Sequence, residues 1–328
     1  MKHVFLIGSH TPYLTVLGIL NKLSLSKSEV VFVYWRNYRP LLKHNDITEM
    51  DLGDLSYIYV LGKKIRDVRN KFNQLNALIK DNIGEDYILY TPHLAFTTFQ
   101  IFATNSFCKG IKFIQEGIID FCKSDKLRFP TFREIFLNIY YFVFHKNVWE
   151  SSNWNTYLRI PYLKCDETFA ITDKLFANVN CKHSIVEWPE LSIDLDLNPD
   201  ATFFVFESAV EMKLIDIDLF LSATSKMVKK YAKKYNYVKF HPHQSKHNID
   251  SIINIFKEFN YSVETLSANI PFEIIIAKYK KLTVCGFTTS LVFYSALLGH
   301  DTHICEPLLE SSKSFMKYWI QFKKHLSV

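Results

Sequence analysis

Apolar positions along the chain fall into short continuous runs that alternate with stretches of helical spacing, and the alternation begins at the first residues. Val4-Phe5-Leu6-Ile7 has the length of a buried strand and runs into Gly8-Ser9-His10-Thr11-Pro12, after which Tyr13 to Leu23 has helical spacing. Glu29 to Trp35 predicts a second strand. Val68, Phe72, Leu75, Leu78 and Ile79, three and four apart, mark one face of a helix. Tyr87 to Tyr90 predicts a third strand closed by Thr91-Pro92-His93, and Phe96 to Ala103 a returning helix. Ile111 to Ile114 then delivers Gln115-Glu116-Gly117 to a strand end, with Gly117 expected to permit a sharp turn there. Strands alternating with helices predict a parallel α/β unit.

The same logic repeats in the second half. Thr168 to Thr172 reads as the first element of a second unit, with Glu187-Trp188-Pro189 as the loop entering it. Thr202 to Phe206 predicts a strand, Asp216 to Tyr235 a long helix, and Tyr237 to Phe240 a strand that stops at His241-Pro242. A helix over Ser251 to Phe259 and a strand at Tyr261 to Val263 precede another helix start, where Pro271 lies near the first helical position and Glu273 in the first turn. Lys281 to Cys285 predicts a strand entering Gly286-Phe287-Thr288-Thr289-Ser290, with Leu291 to Leu298 helical beyond it. A short strand at Thr302 to Ile304 and a closing helix marked by Phe315, Met316, Trp319, Ile320 and Phe322 complete the chain. The expected division is 1–165, 166–310 and a C-terminal helix, 311–328, packing back on the first domain. Phe132, Phe136 and Tyr140 share one helical face and are expected in the core.

With 328 residues the chain has room for two domains of ordinary size, and 48% hydrophobic residues with 9 Gly and 10 Pro describe a folded globular chain. Its six cysteines form no CxxC pair and no regular spacing, which points to reduced thiols in the cytoplasm and to neither a zinc site nor a disulfide framework. The opening apolar run is too short for a signal sequence, and Ile135 to Phe144 too short for a bilayer crossing. A net charge of +6 favours anionic ligands, and contact of the closing helix with an anionic membrane face stays open. No nucleic-acid module is present.

Chemistry is concentrated where strands end, because ligands of open α/β folds collect beyond the carboxyl edge of the sheet. Ser9, His10 and Thr11 are candidate donors to a sugar or carboxylate, although the loop lacks GxGxxG and so does not predict NAD. Glu116 puts a carboxylate at that edge, and His241 an imidazole able to donate to a phosphate or protonate a leaving group. The hydroxyls Thr288, Thr289 and Ser290 beside Gly286 suit either a phosphate cradle or a plain helix N-cap. Asp194-Leu195-Asp196 and Asp216-Ile217-Asp218 could pass for metal-binding Asp-x-Asp pairs. The second lies at a predicted helix start, where carboxylates are favoured anyway, so no metal is assigned.

The order of these pieces describes two Rossmann-like domains facing across a cleft, the GT-B plan, and resembles the bacterial sialyltransferases and polysialyltransferases that use CMP-activated nonulosonic acids. Their acidic-acidic-Gly, His-Pro and Ser/Thr-Ser motifs look like Gln115-Glu116-Gly117, His241-Pro242 and Thr289-Ser290, with Gln115 where the family commonly has a second acid. The resemblance implies Glu116 as general base toward the acceptor hydroxyl and His241 as the group that stabilises or protonates the departing CMP phosphate. It implies Thr289 and Ser290, or Thr288 and Thr289, as phosphate ligands and Glu273 as the holder of the ribose hydroxyls. The donor would be a CMP-sugar, the acceptor a surface glycan, and the transfer inverting and without a metal cofactor. Two alternatives remain: a Kdo or CDP-glycerol type transferase, and a non-catalytic sugar- or nucleotide-binding protein of the same fold.

Overall fold

The computed structural model describes residues 1–117 except 41 and 60–62, a few positions between 132 and 139, and 163–323 except 178, 192–195 and 268–269. The chain divides into two compact units, Met1–Trp188 and Pro189–Val328.

The first unit is a parallel sheet of seven strands in the order β3-β2-β1-β4-β5-β6-β7. The strands are β1 (Lys2–Ile7), β2 (Val30–Tyr34), β3 (Thr48–Asp51), β4 (Tyr87–Thr91), β5 (Cys108–Ile114), β6 (Glu167–Ala170) and β7 (Lys182–Ile185). Strands buried on both faces must be apolar throughout, and all five residues of β2 are buried. The edge strands β3 and β7 bury only Met50 and Ser184. Helix α1 (His10–Leu23) lies on the core with Tyr13, Leu14, Val16 and Ile19 fully buried. It stops at Ser24, whose left-handed backbone (φ 50°) returns its N–H to the carbonyls of Asn21 and Leu20. Helix α2 (Ile65–Asn82) buries Val68, Phe72, Leu75 and Ile79, the face expected from their spacing. Helix α3 (Thr97–Thr104) returns the chain from β4 to β5. Phe5, Tyr13, Phe32, Tyr90 and Phe169 meet in one core cluster, each contributing about 1.5–3 kcal/mol by leaving water.

The domain boundary differs from the expected one. Strand β6, expected to open the second unit, pairs in parallel with β5 through Lys112 to Glu167, Phe113 to Thr168 and Ile114 to Phe169. The first unit therefore runs on to Trp188, whose indole N–H donates to Thr15 Oγ1 of α1 at 3.1 Å. The entry loop read at Glu187-Trp188-Pro189 does mark the junction.

The second unit has five parallel strands in the order β10-β9-β8-β11-β12: β8 (Thr202–Val205), β9 (Tyr235–Lys239), β10 (Ser262–Thr265), β11 (Thr283–Gly286) and β12 (Asp301–Ile304). Its helices are α4 (Ile217–Tyr231), α5 (Lys246–Glu258), α6 (Phe272–Lys278), α7 (Ser290–Leu297) and α8 (Lys313–Lys323). Asp216 caps α4 by accepting the N–H of Asp218 at 2.9 Å, which gives that Asp-x-Asp a structural use. Asp194 and Leu195 lie outside the described residues. The closing helix α8 clusters with this unit. Trp319 stacks on Phe293 of α7 at 5.4 Å, and Ser312 donates to the carbonyl of Leu214 at 3.0 Å.

Both units are Rossmann-like parallel sheets, so the α/β class and the tandem composition of a GT-B protein are as expected. Phe132 and Phe136 are not core residues: they are 84% and 73% exposed, while Tyr140 lies outside the described residues. Among the described residues no helix is long and apolar enough to cross a membrane.

Candidate functional site

In the first unit, three strand ends converge on Glu116. Two residues past β5, its Oε1 lies 3.4 Å from the Arg36 guanidinium and its Oε2 3.4 Å from His93 Nε2. Arg36 follows β2 with its backbone in the left-handed region (φ 57°), which a non-glycine residue adopts at a cost that marks functional positions. Its guanidinium lies 3.9 Å from the centre of the Trp35 ring and donates through Nε to the Tyr57 hydroxyl at 2.7 Å. His93 follows β4 and is buried, its ring packed against Trp35, Phe96 and Phe99. The backbone N–H of Ala95 donates to His93 Nδ1 at 3.0 Å, so the ring proton sits on Nε2, toward the carboxylate. An arginine and an imidazole N–H on one carboxylate favour its ionised form, as a base requires.

Gln115 is fully buried and accepts the N–H of Ile171 with its side-chain oxygen at 3.0 Å, joining the ends of β5 and β6. That position is structural here. Gly117 stands at a bend with its backbone outside the left-handed region, and a Cβ there would meet none of the described residues. A side chain is missing beside Glu116 rather than a strained backbone relieved. Ser9 caps α1 from extended backbone without a side-chain hydrogen bond to the helix, whereas Thr11 is buried in the first turn.

In the second unit, His241 sits half-buried in a tight turn after β9. Its N–H donates to Gln244 Oε1 and its carbonyl accepts from Gln244 N–H, both at 2.9 Å, with Pro242 exposed between them. The N–H of His243 donates to His241 Nδ1 at 3.2 Å, leaving Nε2 as the ring's donor. Burial lowers the pKa of His241, His243 lowers it further, and Glu211 acts the other way. Glu211 accepts from the Ser245 N–H at 2.8 Å and from Asn248 Nδ2 at 3.3 Å. Its burial disfavours the charge, but these hydrogen bonds outweigh it and hold the carboxyl below its ordinary pKa.

At the end of β11, a Cβ on Gly286 would fall 2.6 Å from the carbonyl oxygen of Val205 and 2.6 Å from Val292 Cγ2, so only glycine lets β8 and α7 approach this closely. Thr289 caps α7, accepting the Leu291 N–H at 3.4 Å, which is the N-cap reading. Thr288 donates to Glu207 Oε1 at 3.3 Å, and Ser290 is half-buried at the first helical position. Glu273 stands in the first turn of α6. Nearby Lys239 fastens the loop before α6 by donating to the carbonyls of Ser267 and Ile270, each at 2.7 Å. Burial lowers the pKa of Lys239 and Glu273 opposes the shift.

Two groups of expected residues are thus each assembled at a carboxyl edge: Glu116 and Gly117 in the first unit; His241, Gly286, Thr288, Thr289 and Ser290 in the second. Sequence reasoning passed over Arg36, His93, Glu207 and Lys239 as site residues. All four lie within two residues of a strand end, the signal that could have found them.

Several solved structures resemble the chain. UDP-GlcNAc 2-epimerase from Neisseria meningitidis bound to UDP-GlcNAc is 12% identical, covering 100% of this chain and 95% of its own, with TM-score 0.48. UDP-GlcNAc 2-epimerase from Methanocaldococcus jannaschii is 10% identical, with coverage of 100% and 92% and TM-score 0.45. HepE of Anabaena in complex with UDP and glucose is 8% identical, with coverage of 100% and 93% and TM-score 0.48. No curated protein matches. The alpha-2,8-polysialyltransferase (POLYST) family matches residues 4–305, a span that takes in both carboxyl edges with Glu116, His241 and Thr288 to Ser290. The chain belongs to the alpha-2,8-polysialyltransferase family and is a glycosyltransferase of the sialyltransferase type.

Proposed function

We propose that the protein moves sialic acid or a related nonulosonic acid from its CMP donor to a hydroxyl of a surface glycan, with inversion and without a metal. The observation that carries this reading is Glu116, held between Arg36 and His93 at the first unit's carboxyl edge. A carboxylate so held can take the proton of an acceptor hydroxyl as it attacks, and one direct displacement inverts the anomeric carbon. The second unit supplies the donor side. His241 Nε2–H, the Thr288 to Ser290 hydroxyls and the start of α7 can meet the charge of a departing phosphate monoester, so no cation is needed there. Glu273 takes the ribose hydroxyls.

Family membership sets aside a non-catalytic binding protein. A Kdo or CDP-glycerol transferase would share the phosphate site but has no defined need for Glu116. We place the enzyme in the cytoplasm, with peripheral membrane contact supported by exposed Phe132, Phe136 and Ile139 and by Lys313, Lys317 and Ile320 on α8.

Thermal-shift measurements with CMP, CDP, UMP and UDP test the donor, because a ligand that binds the native state raises the unfolding midpoint. CMP is expected to give the largest shift, and a larger one with UDP overturns the reading. Transfer should survive EDTA; loss on chelation with recovery in Mg²⁺ or Mn²⁺ overturns the metal-free mechanism.

A further inference from the structure

A series of aromatic rings runs from the core of the first unit out to solvent beside Glu116. It begins at Trp35, fully buried one residue past β2. A Cβ on Gly8 would collide with the indole, so glycine at the end of β1 is what lets this ring lie there. Phe99 meets the indole edge-on at 4.8 Å and Phe96 packs against it at 5.4 Å. Tyr57 stands edge-on to both Trp35 and Phe96, at 6.0 and 5.2 Å, and its hydroxyl accepts from Arg36 Nε at 2.7 Å. Tyr59 continues the series nearly parallel to Tyr57, with 13° between the planes and 6.2 Å between the centres, and is 67% exposed. We propose that Tyr57 and Tyr59 form a stacking platform for the acceptor glycan, holding the sugar ring one unit in from the hydroxyl that Glu116 activates. The platform rests on the reading of Glu116 as the base of glycosyl transfer and extends its acceptor side.

Arg36 ties the platform to the base. One guanidinium donates through Nε to Tyr57, lies 3.4 Å from Glu116 Oε1 through Nη1, and has its centre 3.9 Å from that of the Trp35 ring. The tyrosines and the carboxylate are thus separated by a single planar group that is itself held on a buried indole. A glycan whose reacting hydroxyl meets Glu116 has its next ring within reach of Tyr57 and Tyr59.

The chemistry of the rings suits a sugar. An aromatic face is electron-rich and attracts the C–H bonds on one face of a pyranose, while the hydroxyls stay at the rim in water. Tyr57 accepts from Arg36 and keeps its own hydroxyl hydrogen to donate to such a rim. Tyrosine also offers a wide contact area at little cost in side-chain freedom. An exposed ring standing alone needs no explanation, but Tyr59 is laid flat against a ring that is packed and hydrogen-bonded in its turn. Neither tyrosine is placed at the reacting atoms, so the platform binds ground state and transition state alike. It therefore lowers KM for acceptors long enough to reach it and leaves kcat unchanged.

Acceptors of one, two and three α-2,8-linked sialic acid residues, the linkage in the family's name, test this with the full chain and saturating CMP-sugar. The parent should show a lower KM for the two-residue acceptor than for the one-residue acceptor. Tyr59→Ala should raise KM for the two longer acceptors roughly 3–10-fold, with the one-residue acceptor, kcat and CMP-sugar affinity as in the parent. Tyr59→Phe keeps the ring and should behave like the parent. Equal KM values for the parent and Tyr59→Ala at every length overturn the proposal, and so does a rise of the same size for the one-residue acceptor, because the ring would then only support the edge. A change in donor affinity assigns the rings to the donor sugar, and a change in oligomeric state by light scattering assigns them to a second copy of the chain; either overturns the platform. Should the alanine variant melt early, saturation-transfer NMR on the parent decides. Irradiated aromatic protons should reach the C–H face of the second sugar most strongly, and even transfer along the acceptor overturns the subsite. A parent that transfers to none of the three acceptors removes the acceptor reading and the platform together, a failure distinct from those in which transfer survives.

Discussion

The two carboxyl edges use one histidine device in opposite electrostatic settings. After β4 and after β9 a strand-end histidine accepts, at Nδ1, the N–H of the residue two positions on, Ala95 for His93 and His243 for His241. Each ring is thereby fixed as the Nε2–H form. In the first unit that N–H faces Glu116, which also meets Arg36, so the edge is held by opposite charges. In the second unit burial works the other way: it pushes Glu207 up to about 7 and His241 down, each toward its uncharged form. The edge proposed to hold the base pairs its charge, and the edge proposed to receive an anion moves its own side chains toward their uncharged forms.

The largest expected effect breaks the first half of this comparison. Glu116→Gln removes the proposed base while keeping size and hydrogen-bonding reach, and should cut transfer by about 10²–10⁴-fold. Donor affinity should stay nearly unchanged, because the proposed nucleotide ligands belong to the other unit. Transfer and CMP-sugar affinity measured on one purified preparation separate the outcomes. Transfer close to the parent rate takes Glu116 out of the mechanism, and joint loss of donor binding makes it structural.

A smaller effect tests whether the pairing matters. His93→Phe keeps the ring against Trp35, Phe96 and Phe99 but deletes the Nε2–H donor. A hydrogen bond to a charged group contributes about 1.5–3 kcal/mol, so kcat should drop by roughly 10–100-fold. The acid limb of the pH profile should move upward, since losing a donor disfavours the ionised carboxylate. A fall in kcat with the limb in place would mean that His93 only packs.

Where buried apolar runs carried the signal, the elements were legible. Strands β1, β2 and β8 are nearly continuous apolar stretches, and the face of α2 was named residue by residue. Strands β3 and β7 were missed because an edge strand with one buried position leaves no alternation to read. Missing β7 also moved the expected boundary, since without it β6 looked like a beginning and not the sixth member of a sheet. At the site, Glu116, His241 and the Thr-Thr-Ser turn stood out by motif. Arg36 and Glu207 share the strand-end position but carry no motif, and what singles them out is spatial: a left-handed backbone beside an indole, and a carboxyl oxygen buried where the winding reverses.

The second edge also depends on close packing. Gly286→Ala would push a methyl group to 2.6 Å from the Val205 carbonyl oxygen, a backbone atom that can yield only by shifting β8. Overpacking of this kind costs about 1–3 kcal/mol, and the unfolding midpoint should fall accordingly. Because Glu207, His241 and Thr288 each stand two residues past a strand of that sheet, CMP affinity should fall as well. An alanine variant that melts and binds like the parent would show that the strand ends tolerate displacement.

The smallest effect sets two buried glutamates of opposite sign against each other. Glu167, in β6, accepts from Lys112 at 2.8 Å, from Lys182 at 2.7 Å and from Ser184 at 2.7 Å. Burial alone would raise its pKa, but these partners outweigh it and hold the carboxyl at about 2, below the ordinary 4.5. A depressed carboxylate contributes stability that is full above about 4.5 and is lost as the pH falls toward 2. Glu207 has the reverse sign: its raised pKa favours the protonated folded form, so its contribution is full below about 4.5 and fades as the pH rises through 7. Denaturant unfolding followed against pH should therefore show Glu207→Gln removing pH dependence between about 4.5 and 7 while Glu167→Gln leaves that window alone and flattens the profile below it. If Glu167→Gln instead alters the window near neutrality, the charge-paired description of the first unit fails. If Glu207→Gln leaves the window unchanged, the folded second unit does not hold that carboxyl protonated.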